Sequence, residues 1–275
     1  MNGEEILKEV AVEATKELAK DVYADAVQPT TRNVGGFFGT LSGFFNHVVM
    51  YPLKKLNAEY EQKAIAFERE MEQKYNNIPD QNKTEPQLHI VGPTMESLKY
   101  NILDGTLAEL FSNLLVSNMD TSTQSLCTPA FVKVIEQLSP KDAQVFKSLY
   151  LTCKNGNALP ICEMKIVELN DRKRYIRTEL IPKYVTNTSN FTVNEHDISK
   201  SIQNLERLGL IQLNFLKSFT DKNVYENLKS QNYLVFALKM ADQLTGVQHM
   251  IDVSSRGIIV INDFGIDFAK VCMRN

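Results

Sequence analysis

The sequence predicts a mainly α fold: an N-terminal set of helices followed by a small α+β module of winged-helix type. Three observations carry that prediction. Apolar residues recur at steps of three and four through three segments between Glu4 and Leu115, the period of a helix with one buried face. The pairs Thr128-Pro129 and Ser139-Pro140 each place a hydroxyl cap before a proline at the first helical position. Beyond them a periodic helix stops at Gly209 and leaves as the apolar run Leu210-Ile-Gln-Leu, which is how a winged-helix unit passes from its last helix into its wing.

Composition sets the bounds. At 275 residues, 43% hydrophobic and 23% charged, the chain has a real core and room for two ordinary domains. Residues 1–139 hold 12 Lys or Arg against 19 Asp or Glu, and residues 140–229 hold 14 against 10. Neither part is basic enough to advertise nucleic acid. Cys127, Cys153, Cys162 and Cys272 have no short paired spacing, and the four histidines are equally scattered. The cysteines therefore read as small buried hydrophobes rather than metal ligands. The N-terminus is amphipathic and acidic rather than a basic segment before an apolar core, so no secretory signal is read and a cytoplasmic protein is expected.

Taken in order, Ile6, Val10, Ala14, Leu18, Val22 and Ala26 form the apolar row of a helix over 4–26, ended by Pro29. Residues 33–53 carry no charge. Within them Gly35, Gly39 and Gly43 recur every fourth residue, which on a helix makes a strip that another backbone can approach closely. The pairs Phe37-Phe38 and Phe44-Phe45 lie two turns apart beside that strip. The segment is about the length of a membrane span, but Thr40, Ser42, Asn46, His47 and Pro52 dilute it. It is expected to be a packed helix, with a membrane face as the alternative. Residues 54–77 form a charged helix with one narrow apolar stripe. A breaker-rich linker follows over 79–93, with Thr94 as the next cap and Gly105 as a break between two helices of the helical core, 94–155. The N-terminal helices are assigned to 1–78 and the module to 156–275.

Within the module, Ser199, Lys200, Gln203, Asn204, Glu206 and Arg207 point outward from the helix after Thr192, and Arg172, Lys173 and Arg174 form a short basic run. A partner or nucleic-acid face is expected from Arg172, Lys173, Arg174, Lys200, Gln203, Asn204 and Arg207, although so few cations are thin for reading bases. Strands on either side of Ser254-Ser-Arg-Gly are expected to pair as a hairpin, with a closing helix over 263–271.

The order Tyr23-Ala-Asp-Ala-Val-Gln-Pro, Gly35-Gly-Phe-Phe-Gly, Tyr51-Pro-Leu, Asn77-Ile-Pro-Asp-Gln-Asn, Gly92-Pro, Leu107-Ala-Glu-Leu-Phe-Ser-Asn-Leu-Leu, Pro129-Ala-Phe-Val, Leu138-Ser-Pro-Lys-Asp-Ala and Asn204-Leu-Glu-Arg-Leu-Gly-Leu-Ile resembles the Abi-alpha family of bacterial proteins. The family's His-Pro before Phe-Val appears here as Thr128-Pro129, and the family brings no catalytic residue to carry over. The resemblance implies a bacterial anti-phage, abortive-infection role. The expectation is a non-enzymatic protein without metal or cofactor, acting through a protein partner or self-association, with membrane contact through 33–53 as a further route. A winged-helix nucleic-acid-binding regulator is the alternative.

Overall fold

The computed structural model describes residues 34–54, 58–153, 157–176, 181–187, 189 and 191–274, and of these the side chains of 34–37, 40 and 176 are not described. The helix expected over 4–26 lies outside the described residues.

The uncharged segment is helical. α1 (Val34–Phe45) runs through a π-helical turn, Asn46–Met50, into α2 (Tyr51–Lys54). The wider turn absorbs the register change that Pro52, which has no N–H to donate, imposes on a helix. α3 (Ala58–Asn76) buries Ala64, Phe67, Met71 and Tyr75, the narrow stripe that the periodicity predicts. α1 packs on that stripe: the Phe45 ring stacks on Phe67 at 5.5 Å and Phe38 on Tyr75 at 5.2 Å.

The connection that follows is draped rather than free. Lys83 bridges to Asp120, Thr84 N–H donates to Met119 O at 3.0 Å and Thr121 N–H to Asn82 O at 2.8 Å. α4 (Leu88–Asn101) starts six residues before Thr94. Thr94 is therefore not a cap; its buried hydroxyl donates back to Ile90 O at 2.6 Å, the bond by which Thr tolerates a helix interior. α5 (Gly105–Ser117) is capped by Asp104, which accepts from Thr106 N and Leu107 N. It is buried continuously from Leu110 to Ser117 and forms the centre of the helical layer. α6 (Pro129–Gln137) and α7 (Pro140–Cys153) start at the predicted caps. The box at Ser139 is reciprocal, Asp142 N–H donating to Ser139 Oγ at 3.1 Å and Ser139 N–H to Asp142 Oδ2 at 2.8 Å.

The sheet is antiparallel throughout. β1 (Leu159–Glu168) pairs along its length with β5 (His249–Ile261); β2 (Tyr175–Ile176) and β3 (Val185–Thr186) pair with β1, and β4 (Ile211–Asn214) pairs with β5. The hairpin expected around Ser254-Ser-Arg-Gly is absent: His249–Ile261 is one strand. Those residues form a bulge instead, because Glu163 pairs with Ser255 and Met164 with Val253, leaving Ser254 unpaired. Side chains alternate along a strand, so one extra residue exchanges the faces. Ile251 and Val253 accordingly face one core with Cys162 and Met164, while Ile259 and Ile261 face the helical core with Ile161.

α8 (Glu195–Arg207) ends as predicted at Gly209, which has φ +73; Leu210 N–H donates to Leu205 O and Gly209 N–H to Glu206 O. The second sheet face is covered by α9 (Asn223–Glu226) and α10 (Asn232–Thr245). α11 (Asp263–Cys272) closes the chain against α5 and α7. Its Phe268 is fully buried between Phe131 and Phe146, with ring centroids 5.4 and 5.7 Å away. The described chain is thus mainly α with a small α+β module, and one apolar cluster runs from Leu41 to Cys272.

Candidate functional site

Two surfaces were singled out in the sequence, and the structure treats them differently. On α1, Phe45 is buried and Phe38 and Phe44 are half-buried against the core. Gly39 and Gly43 lie on the opposite side, and a Cβ at either would meet nothing within 4 Å. Among the described residues, then, Gly39 and Gly43 receive no other helix of this chain. Gly35 and Phe37 belong to α1, but their surroundings lie outside the described side chains. Asn46 and His47 continue the exposed side, and Tyr51 is 62% exposed.

The α8 surface is largely committed. Asn204 donates to Gln137 O at 3.1 Å and to Asp142 Oδ2 at 3.0 Å. Arg207 donates to Asn204 Oδ1 and, at 2.8 Å, to Gln137 Oε1. Lys141 pairs with Asp197 at 2.5 Å at the start of the same helix. These bonds tie α8 to the α6–α7 corner. Lys200 and Gln203 remain exposed, Gln203 bonding its own turn at Ser199 O. Arg172, Lys173 and Arg174 sit in an exposed turn between β1 and β2, away from α8, with Arg174 3.6 Å from Asp171. The structure does not merge the two basic sets into one face.

Burial holds the four cysteines in the thiol form. Burial pushes the Cys127 and Cys162 thiols up to about 12 and Cys153 up to about 11, and raises Cys272 well above the ordinary thiol value; thiolate, the reactive form, is thereby disfavoured. No group of three or more His, Cys, Asp or Glu among the described residues is placed to hold a metal ion. A cleft of about 200 Å³ between α5 and α7 is lined by Glu109, Asn113, Gln144 and Lys147 over Leu110 and Cys272. Asn113 donates its amide to Cys272 O at 2.9 Å across the floor of the cleft. No helix among the described residues is long and apolar enough to cross a membrane.

With that geometry in place, comparison with known proteins decides the family: residues 59–272 match the family described as abortive infection alpha. The chain belongs to the Abi-alpha family. The matched region runs from α3 to the end of α11, and the glycine row on α1 lies before it. No curated protein matches this chain. A solved structure of an uncharacterized protein from the hydrocarbon-degrading marine bacterium Alcanivorax borkumensis SK2 is similar at 14% identity and a TM-score of 0.30, covering 56% of this chain and 96% of that one; a likeness of that size carries no argument.

Sequence reading passed over one surface. α10 was not recognised, although Leu234, Ala237 and Ala241 have helical spacing and Gly246 provides a left-handed end with φ +73. On its outer side Phe236 is 59% and Leu244 76% exposed.

Proposed function

We propose that this Abi-alpha protein is a non-enzymatic anti-phage effector that acts by contact with a protein partner, and that the glycine side of α1 is part of the contact. The observation carrying this reading is the space over Gly39 and Gly43, clear of every described residue, in a helix that has no charged residue. Each glycine costs a helix about 1 kcal/mol relative to alanine, and nothing within the described fold is gained from their small size. A partner helix approaching closely is the function that small residues serve. The β1-β5-β4 order with α8 leading into β4 supports a winged-helix-like module used structurally, since half-buried Asn204 and exposed Arg207 both bond to neighbouring elements of the same chain. Those engagements argue against the nucleic-acid alternative.

The test is phage challenge of cells expressing wild type or Gly39→Leu with Gly43→Leu. Leucine is the better helix former and its Cβ meets no described residue within 4 Å at either position, so the variant is expected to fold at least as stably as wild type by thermal unfolding, yet to lose protection. Full protection by the folded variant would overturn the reading.

A further inference from the structure

We infer that the cleft between α5 and α7 binds a small zwitterion, a molecule of amino-acid size that carries one ammonium and one carboxylate. Two helix faces build its walls. α5 contributes Thr106, Glu109, Leu110 and Asn113, spaced by three and four, and α7 contributes Ala143, Gln144 and Lys147; side chains at that spacing share one side of a helix. Cys272 and Met273, at the end of α11, close the bottom. Leu110, Ala143 and Cys272 are buried whereas Glu109, Gln144 and Lys147 are exposed, so an apolar floor lies under a polar rim. Small-molecule sites are built that way, with an apolar concave surface and a few polar groups that fix orientation.

Charge selects the ligand. On neighbouring helices opposite charges within reach pair, Lys133 with Glu136 and Lys74 with Glu70. Glu109 and Lys147 stand on facing walls of one cleft, yet neither forms an ion pair or a side-chain hydrogen bond with a described residue. The floor holds a further unspent group. Asn113, 2% exposed, donates its amide to Cys272 O at 2.9 Å and to Arg274 O at 3.5 Å, and its Oδ1 accepts no bond from a described residue. A buried acceptor is ordinarily satisfied, so the end of the ligand that lies along α5 must donate. An ammonium there meets Asn113 Oδ1 and the Glu109 carboxylate, and a carboxylate at the other end meets Lys147 and the Gln144 amide. A simple anion would be repelled by Glu109 and a polyamine by Lys147, so one charge of each sign complements the site.

Size and position narrow the ligand further. The volume of about 200 Å³ is below the roughly 300–1,000 Å³ of sites for drug-sized molecules, and Leu110, Ala143 and Met273 offer contact to one aliphatic side chain. Leucine and methionine have that form. The bound molecule touches α5, α7 and the end of α11 together, the elements that join the C-terminal module to the helical layer. A ligand held only by that folded arrangement stabilises it. None of the lining residues belongs to α1, so the site is independent of the α1 contact proposed above.

Thermal unfolding and calorimetric titration of the full chain with L-leucine and L-methionine test this. Binding is expected with a Kd of about 1 mM or tighter, and the unfolding temperature should climb with ligand concentration. Isocaproate, which lacks the ammonium, and isoamylamine, which lacks the carboxylate, should each bind about tenfold more weakly than leucine or worse. Glu109→Gln and Lys147→Met alter exposed rim side chains, so both variants are expected to fold like wild type without ligand. Each should weaken leucine about tenfold. In Glu109→Gln the preference for leucine over isocaproate should vanish, and in Lys147→Met its preference over isoamylamine. Absence of binding by both amino acids at about 10 mM overturns the inference, as does binding that survives either substitution undiminished.

Discussion

At the scale of single residues, a buried carboxylate anchors the Arg274 side chain. Asp120, 2% exposed, receives Arg274 at 2.9 Å together with the Ser122 N–H and hydroxyl, and Arg274 also reaches Ser117 and Thr123. Burial alone would raise the Asp120 pKa; the bonds from Ser122 and Arg274 outweigh it and leave the carboxyl below its ordinary 3.8. A carboxyl whose folded pKa is depressed adds stability that is fully present above the unfolded value and is lost as pH falls through the folded one. Arg274→Ala is therefore expected to cost about 2 kcal/mol at neutral pH, measured by denaturant unfolding. The gap to wild type should close in acid, as Asp120 becomes protonated in both proteins; a gap that persists there would assign the loss to packing instead. Gly265 is a second such point: a Cβ there would stand 2.0 Å from Leu210 O. Asn262 caps the same helix start through Gly265 N and donates to Gly209 O at 2.8 Å, so the end of α8 and the start of α11 meet backbone to backbone.

At the scale of elements, β5 serves two cores because of one residue. Its first half supplies Ile251 and Val253 to the α9–α10 side and its second half supplies Ile259 to the helical side, with Ser254 between them donating its hydroxyl to Glu163 O at 3.0 Å. Deleting Ser254 would restore simple alternation and turn one half outward. The expected result is loss of about 3 kcal/mol or more, since each buried aliphatic side chain is worth about 1.5–3 kcal/mol, with new proteolytic cleavage in 215–248 as the α9–α10 layer loosens. Wild-type resistance to protease would show that the pairing had re-registered elsewhere. The capping signals behaved differently: Thr128, Ser139 and Gly209 did locally what their residue types dictate, because a cap is decided within four residues. Thr94 failed as a cap because the apolar residues Ile90 and Val91, packed in the core, extend the helix upstream of Pro93.

For the whole molecule, α11 ties the C-terminal module into the N-terminal helices. Asn113 and Ser117 of α5 donate to Cys272 O and Val271 O, both at 2.9 Å, and Phe268 fills the space between α6 and α7. Phe268→Ala is expected to cost about 3–5 kcal/mol and to lower a single unfolding transition in calorimetry. Two transitions, with only one moved, would mean that the module unfolds independently.

What the sequence by itself determined was local: the helical periods over 54–77 and 94–115, the three caps, the uncharged stretch, and the motif order that assigned the Abi-alpha family. The tertiary structure decided what faces what. An added Cβ at Gly39 or Gly43 meets no described residue within 4 Å, and Asn204 and Arg207 bond to Gln137 and Asp142. α10 and the bulge at Ser254 escaped the sequence for the same physical reason. Periodicity records that a residue is apolar, whereas which of several apolar faces is covered depends on partners more than twenty residues away along the chain.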